Sequence, residues 1–165
     1  MEVTLRTWQL NDASNLVKLA NNLNIARWMT NQFPNPYNLD LAIQFIKMAT
    51  ADNPVHIFAI EANGQLAGGI GIHPQQDVYC RNAELGYWLG EPFWQKGIIT
   101  KAIPIAVKWA FSHYPVTRIF ARPFGSNVAS QKALEKCGFI LEARLHGTIY
   151  KNEMTEDELI YAIRL

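Results

Sequence analysis

The sequence predicts an α/β (α+β) chain, a mixed and mostly antiparallel sheet of about seven strands flanked by about four helices. Three features point there. Apolar runs at strand period and at helical period alternate from Val3 to Leu165. Two β-type runs flank Asn63-Gly64, the strongest short hairpin signal. A strand also passes through a short loop, Phe93-Trp94-Gln95-Lys96-Gly97, straight into a helix.

In chain order, Val3 to Trp8 alternates and is β-branched, which predicts a strand. Asp12 is then the expected cap of a helix to about Asn22, with Leu16, Leu19, Ala20 and Leu23 on one face. Thr30 to Asn38 carries two prolines and two aromatics and reads as an ordered loop. A second helix follows Asn38 and buries Leu41, Phe45, Ile46 and Ala49. Val55–Glu61 and Leu66–Ile72 form the hairpin, and Arg81–Leu89 is a third antiparallel candidate. Ile98 to Phe111 is a helix that Pro104 should bend. Val116–Arg122 is a strand, and Asn127–Cys137 a helix stopped by Gly138 in the left-handed conformation. Phe139–Tyr150 and Glu158–Leu165 close the sheet.

The chain has 165 residues, 49% hydrophobic and 18% charged, which predicts one folded domain over 1–165 and excludes a disordered chain. A net charge of +1 removes the basic footprint of a nucleic-acid-binding protein. MEVTLRTWQL has no basic stretch leading into an apolar run, and no segment approaches about 18 consecutive apolar residues, so a cytoplasmic protein that does not bind membranes is expected. Cys80 and Cys137 are too few for a disulfide framework and too isolated for zinc; both are expected reduced, Cys137 as core filler. His56, His73, His113 and His146 are scattered, with no Cys, Asp or Glu expected beside them at ligand spacing, so no metal is assigned. Gly125-Ser126-Asn127 lacks the Gly-x-Ser-x-Gly elbow of a serine hydrolase.

Leu85 to Lys101 is the most informative segment. Free N–H groups at the helix start, the helix dipole and Gly97 together suit a phosphate or diphosphate, although an ordinary strand-to-helix turn would look similar. It is neither of two familiar phosphate loops. After Gly90, Gln95-Lys96-Gly97 stands where a mononucleotide loop needs Gly-Lys-Ser/Thr. Gly68-Gly69-Ile70-Gly71 lies in a strand and is followed by His73-Pro74 rather than a helix, so these glycines are expected to permit a bulge or close packing. Farther on, Asn127 caps a helix, Ser130 sits in its first turn and Gly138 ends it.

Together these segments resemble the GCN5-related N-acetyltransferase (GNAT) superfamily, in the branch of ribosomal-protein N-terminal acetyltransferases. Ala83-Glu84-Leu85-Gly86-Tyr87-Trp88-Leu89 and Phe93-Trp94-Gln95-Lys96-Gly97-Ile98-Ile99-Thr100 resemble that family's acetyl-CoA strand and diphosphate loop. Asn127-x-x-Ser130-x-x-x-x-Glu135-Lys136-x-Gly138-Phe139 matches its second motif. The likeness extends over nearly the whole chain and implies a single N-acetyltransferase domain. It departs at Trp94, at Ile99 where Gly or Ala is usual, at Lys101 where Glu often follows the loop, and at Pro104.

The resemblance implies that the fourth and fifth strands splay, so that the pantetheine arm of acetyl-CoA (coenzyme A) pairs with Tyr87, Trp88 and Leu89. The loop from Trp94 through Gln95, Lys96, Gly97, Ile98, Ile99 and Thr100 would hold the diphosphate, and Asn127 would contact the pantetheine. Transfer to a primary amine would proceed by direct attack in a ternary complex. An α-amine has a pKa near 8 and needs little help from a base. Glu84 is the candidate general base, since alternation puts it on one face with Gly86 and Trp88; the competing reading is a strand carboxylate paired with Arg81 or Arg122. Many relatives use a Tyr as acid where this chain has Leu134, which leaves Ser130 as the candidate donor to the leaving thiolate, with a capping role as the other account. Trp28, Phe33 and Tyr37 are candidates to line the acceptor pocket or are packing residues. The acceptor is a protein N-terminus or a small-molecule amine, and exposed aromatics would support a homodimer. The competing function is an acyl-CoA-binding sensor that has lost its chemistry.

Overall fold

The computed structural model describes every residue, Met1 to Leu165. Strands β1 (Val3–Thr7), β2 (Ile57–Ala62), β3 (Gln65–Pro74), β4 (Asn82–Leu89), β5 (Arg118–Ala121), β6 (Ile140–Lys151) and β7 (Met154–Arg164) form one sheet in the order β1-β2-β3-β4-β5-β7-β6. The pairs β1/β2, β2/β3, β5/β7 and β6/β7 are antiparallel, while β4/β5 is parallel. The helices are α1 (Ala13–Ala20), α2 (Leu23–Ala26), α3 (Leu39–Ala49), α4 (Ile98–His113) and α5 (Val128–Lys136). The predicted mixed sheet with flanking helices is present; the one-turn α2, capped by Asn22 accepting from Asn24 N–H at 2.8 Å, is the helix beyond the expected four. Contacts divide the chain into two compact units, Met1–Gly71 with Tyr87–Ala102 and Ile72–Gly86 with Ile103–Leu165.

In the first unit, Leu16, Ala20, Ala42, Ile46 and Trp88 bury a shared apolar cluster in which Trp8 meets Phe45 edge-on at 5.3 Å. Leu23 does not join it: α1 stops at Ala20, and Leu23 is 70% exposed while Ile25 and Ala26 turn inward. Asp12 precedes α1, but its carboxylate does not cap that helix. It accepts from Gln9 N–H at 2.8 Å and from the Arg6 guanidinium at 2.7 and 2.8 Å, because a charged partner outcompetes a helix amide. Asn38 caps α3 through Leu41 N–H at 2.9 Å. Ala62 pairs with Gln65 around Asn63 and Gly64, both at positive φ, as the hairpin signal requires. Gly68 and Gly69 serve close packing: a Cβ on Gly68 would lie 2.1 Å from the Trp88 carbonyl oxygen, and one on Gly69 2.8 Å from Trp88 Nε1.

In the second unit, Ile103, Ala106, Ala110, Ile119, Leu134 and Leu159 are fully buried. Asn127 caps α5 and Gly138 ends it at φ +86°. The last strand begins at Met154 rather than Glu158, because Asn152 and Glu153 take the left-handed pair of a tight hairpin turn without a glycine to announce it. Cys137 is half-buried, not core filler. It lines a cavity of about 460 Å³ with Val107, Phe111 and Ile163, and burial pushes its thiol pKa up.

Candidate active site

In the first unit, β4 ends in Tyr87–Leu89 and hands the chain to a short 3-10 turn, Glu91–Phe93. Glu91 is tied down by the side-chain amides of Asn22 at 2.6 Å and Asn24 at 3.2 Å, which hold its carboxyl below the usual range. Trp94 Nε1 donates to the Leu89 carbonyl at 2.9 Å, closing the loop on the strand that feeds it. Gln95 and Gly97 then both sit at positive φ, +59° and +72°, before Ile98, 1% exposed, anchors the start of α4.

Left-handed residues in such a turn, followed by a helix start, turn backbone N–H groups toward one side, and the first-turn amides of α4 have no intrahelical carbonyl to bond. A Cβ on Gly97 would meet only Thr100 Oγ1, at 3.8 Å, so this side of the loop is open. Thr100 donates its hydroxyl to Gly97 O at 2.8 Å and fixes the turn. Lys96 is exposed, its Nζ 5.9 Å from the Phe93 ring centre. Lys101 points its charge elsewhere, donating to Met1 O at 2.7 Å. Ile99 is half-buried. These residues fit a diphosphate held by backbone N–H groups.

In the second unit, β4 and β5 are in register only from Asn82↔Arg118 through Glu84↔Phe120, after which β4 continues to Leu89 and β5 ends at Ala121. Ala83, Leu85, Ile119 and Ala121 are buried on one side, so Asn82, Glu84, Arg118 and Phe120 share the other face. Nothing would meet a Cβ on Gly86, which keeps the space beside Glu84 open.

Of the basic partners expected for Glu84, Arg81 donates to Pro115 O at 2.7 Å and Arg122 donates through Nε to Glu158 at 2.6 Å. Glu84 therefore has no hydrogen-bonded cation. Burial raises its pKa above the ordinary 4.5, Arg122 opposes this through space, and Glu158 adds to it. Glu158, only 7% exposed, escaped the sequence reading. Its one signal was an acidic residue opening an apolar closing strand, and its partner lies 36 positions away.

Asn127 Oδ1 accepts from Ser130 N–H at 3.2 Å, so the capping oxygen belongs to Asn127 and not to Ser130. Leu134 is completely buried. The segment before Asn127 is fastened to β7: Leu159 N–H donates to Pro123 O at 3.0 Å, Gly125 N–H to Asp157 O at 2.8 Å, and the Ser126 hydroxyl to Glu156.

Phe33 packs edge-on against Tyr37 at 5.6 Å and Trp88 at 5.8 Å, and burial of Tyr37 pushes its phenol pKa up to about 12. Trp28 is half-buried with the Arg27 guanidinium 4.4 Å above its ring. The histidines are not all isolated: His56 pairs with Asp52 at 2.8 Å one helical turn away in sequence, and His146 meets Asp157 at 3.2 Å because the β6–β7 hairpin brings them together. No group of three or more His, Cys, Asp or Glu forms a metal site.

Residues 2–140 match the family model of the acetyltransferase (GNAT) domain, and the chain belongs to that family. It is an acetyl-CoA-dependent N-acetyltransferase. Among its relatives is the Bacillus subtilis (strain 168) protein "Putative ribosomal N-acetyltransferase YdaF", 29% identical over 98% of this chain and 90% of that protein. The fold is similar to that of the microcin C7 self-immunity acetyltransferase MccE, solved with acetyl-CoA and AMP (TM-score 0.85, 27% identity, 99% and 93% of the two chains). It is also similar to RimL, the ribosomal L7/L12 α-N-protein acetyltransferase solved with coenzyme A (TM-score 0.87, 17% identity, 99% and 94%). No helix is long and apolar enough to cross a membrane.

Proposed function

We propose that this single N-acetyltransferase domain carries an acetyl group to a primary amine, a protein N-terminal α-amine or a small-molecule amine, with Glu84 as general base and Ser130 as the donor that steadies the leaving thiolate. The observation that carries this reading is the end of the β4–β5 ladder at Glu84↔Phe120 while β4 runs on, which leaves strand edge for an extended ligand to pair with. Backbone groups of Tyr87, Trp88 and Leu89 would make those pairings. The N–H groups from Gln95 to Thr100, with Lys96 adding charge and Trp94 holding the loop, would take the diphosphate. Asn127 would keep its cap and contact the pantetheine. Acetyl-CoA supplies a thioester whose thiol, with a pKa about that of cysteine at 8.5, leaves with a hydrogen bond rather than a strong acid.

Glu84 suits proton removal because its surroundings favour the protonated product of that step. An α-amine near pKa 8 asks least of such a base, which together with the relation to YdaF supports peptide N-termini as acceptors. Phe33 and Tyr37 would support an acceptor pocket from behind, as packing residues, and half-buried Trp28 would line it. The test is thiol release from acetyl-CoA across a panel of peptides and small amines. Acceptor-dependent release with at least one member is expected; tight coenzyme A binding with no release anywhere would make the protein an acyl-CoA sensor.

A further inference from the structure

Glu84, Arg122 and Glu158 form a chain of charges where the β4–β5 ladder ends. Glu84 stands opposite Phe120 in the last pair of the ladder, and Arg122 lies two residues beyond Phe120, just past the end of β5. Beyond the end of β5 the bridge Phe124↔Glu158 brings the buried Glu158 carboxylate to Arg122 Nε, at 2.6 Å. A buried carboxylate beside one guanidinium fixes where that guanidinium sits, and neutralises part of what its neighbour feels. Other charges on this face are engaged: Arg118 donates to Asn82 and Glu142, and Arg164 also reaches Glu142. On β3, the strand on the other side of β4, the one titratable group is His73. The charges acting on Glu84 are those of Arg122 and Glu158.

We propose that Arg122 and Glu158 are positioning residues that together govern when Glu84 is ionised, with Arg122 favouring the carboxylate and Glu158 moderating Arg122. The functional meaning of this rests on the reading of Glu84 as base, but the electrostatic relation itself does not. An enzyme attacking with neutral amines gains from a base that is ionised at neutral pH yet still takes up a proton readily. Arg122 pulls the Glu84 carboxyl toward its ionised form, while burial and the Glu158 charge push it toward the protonated one. The pair sets the balance between these two forms.

The test is a 13C NMR titration of Glu side-chain carboxyl carbons in the full chain, with the Glu84 resonance identified as the one lost in Glu84→Gln. Glu158→Gln keeps a hydrogen-bond acceptor for Arg122 but removes the opposing charge, so the Glu84 midpoint should fall, by about one pH unit. Arg122→Gln should raise it by about as much, and Arg122→Lys should return it toward the parent value. Shifts of the same sign in Glu158→Gln and Arg122→Gln, or an unmoved midpoint in both, would overturn the proposal. Should Glu158→Gln not fold, the contrast between Arg122→Gln and Arg122→Lys decides alone. Turnover of Glu84→Gln separately decides whether Glu84 is the base.

Discussion

Each unit of the molecule holds an arginine associated with two carboxylates, and the two arrangements differ in one respect. In the first, Arg6 spends Nε on Glu61 at 2.6 Å and both terminal nitrogens on Asp12 at 2.7 and 2.8 Å, while Asp12 also accepts from Gln9 N–H. In the second, Arg122 binds Glu158 through Nε, and Glu84 is left without a hydrogen-bonded cation. The consequences for the carboxylates are opposite. Burial works against the charge of Asp12, yet the bonds from Arg6 and Gln9 hold it below its ordinary 3.8; Glu84, half-buried and not bonded, is held above its ordinary 4.5. A satisfied triad ties strand to helix entry. The second leaves Glu84 without a bonded cation, as its proposed role of general base requires.

The largest expected effect that sharpens this contrast is on rate. Glu84→Gln should lower acetyl transfer by about 100-fold, the low end for loss of a general base, as read by thiol release at saturating acetyl-CoA. Asp12→Ala should leave the rate of folded protein within about twofold, yet cost about 2 kcal/mol in urea unfolding, because the terminal nitrogens of Arg6 and the Gln9 amide lose their acceptor while Glu61 keeps only Nε. Equal rate losses in the two variants would erase the distinction between the triads.

The pH dependence of stability should also split, with opposite signs. A carboxyl held low contributes stability above its unfolded pKa and loses it as pH falls through its folded one, so the deficit of Asp12→Ala should shrink on acidification below about pH 4. A carboxyl held high contributes stability below its unfolded pKa and loses it as pH rises through its folded one. Glu84→Gln should therefore melt higher than the parent at pH 7 and no higher at pH 4. The smallest effect concerns α5. Asn127→Ala should cost about 1 kcal/mol as a lost cap, whereas Ser130→Ala should change stability by less than about 0.5 kcal/mol while slowing turnover. A Ser130→Ala variant with unchanged turnover and a lower melting temperature would return Ser130 to a structural role.

Local chemistry made most of the fold legible. Asn63-Gly64, the caps Asn38 and Asn127, and the Gly138 stop each depend on residues within a few positions, and each sits where its side chain or φ requires. The diphosphate-type loop was visible for the same reason, although Gln95 taking a left-handed conformation carries no sequence mark. What escaped was decided by distant partners. Asp12 was drawn from the helix cap by Arg6, Glu158 took Arg122 from Glu84, and His146 met Asp157 only once the last hairpin closed. Leu23 was misplaced because the helical periodicity continues past Ala20, where α1 stops, and Asn22 already caps the next helix.

The most direct test of the central assignment is calorimetric titration of coenzyme A into three proteins: the parent, Glu84→Gln and Gly97→Val. Gly97→Val puts a β-branched residue at φ +72°, where only a glycine sits without strain. The account predicts one coenzyme A per chain for the parent, unchanged affinity for Glu84→Gln, and at least tenfold weaker binding for Gly97→Val in folded protein, a loss of about 1.4 kcal/mol. No heat with the parent, or equal losses in the two variants, would contradict it.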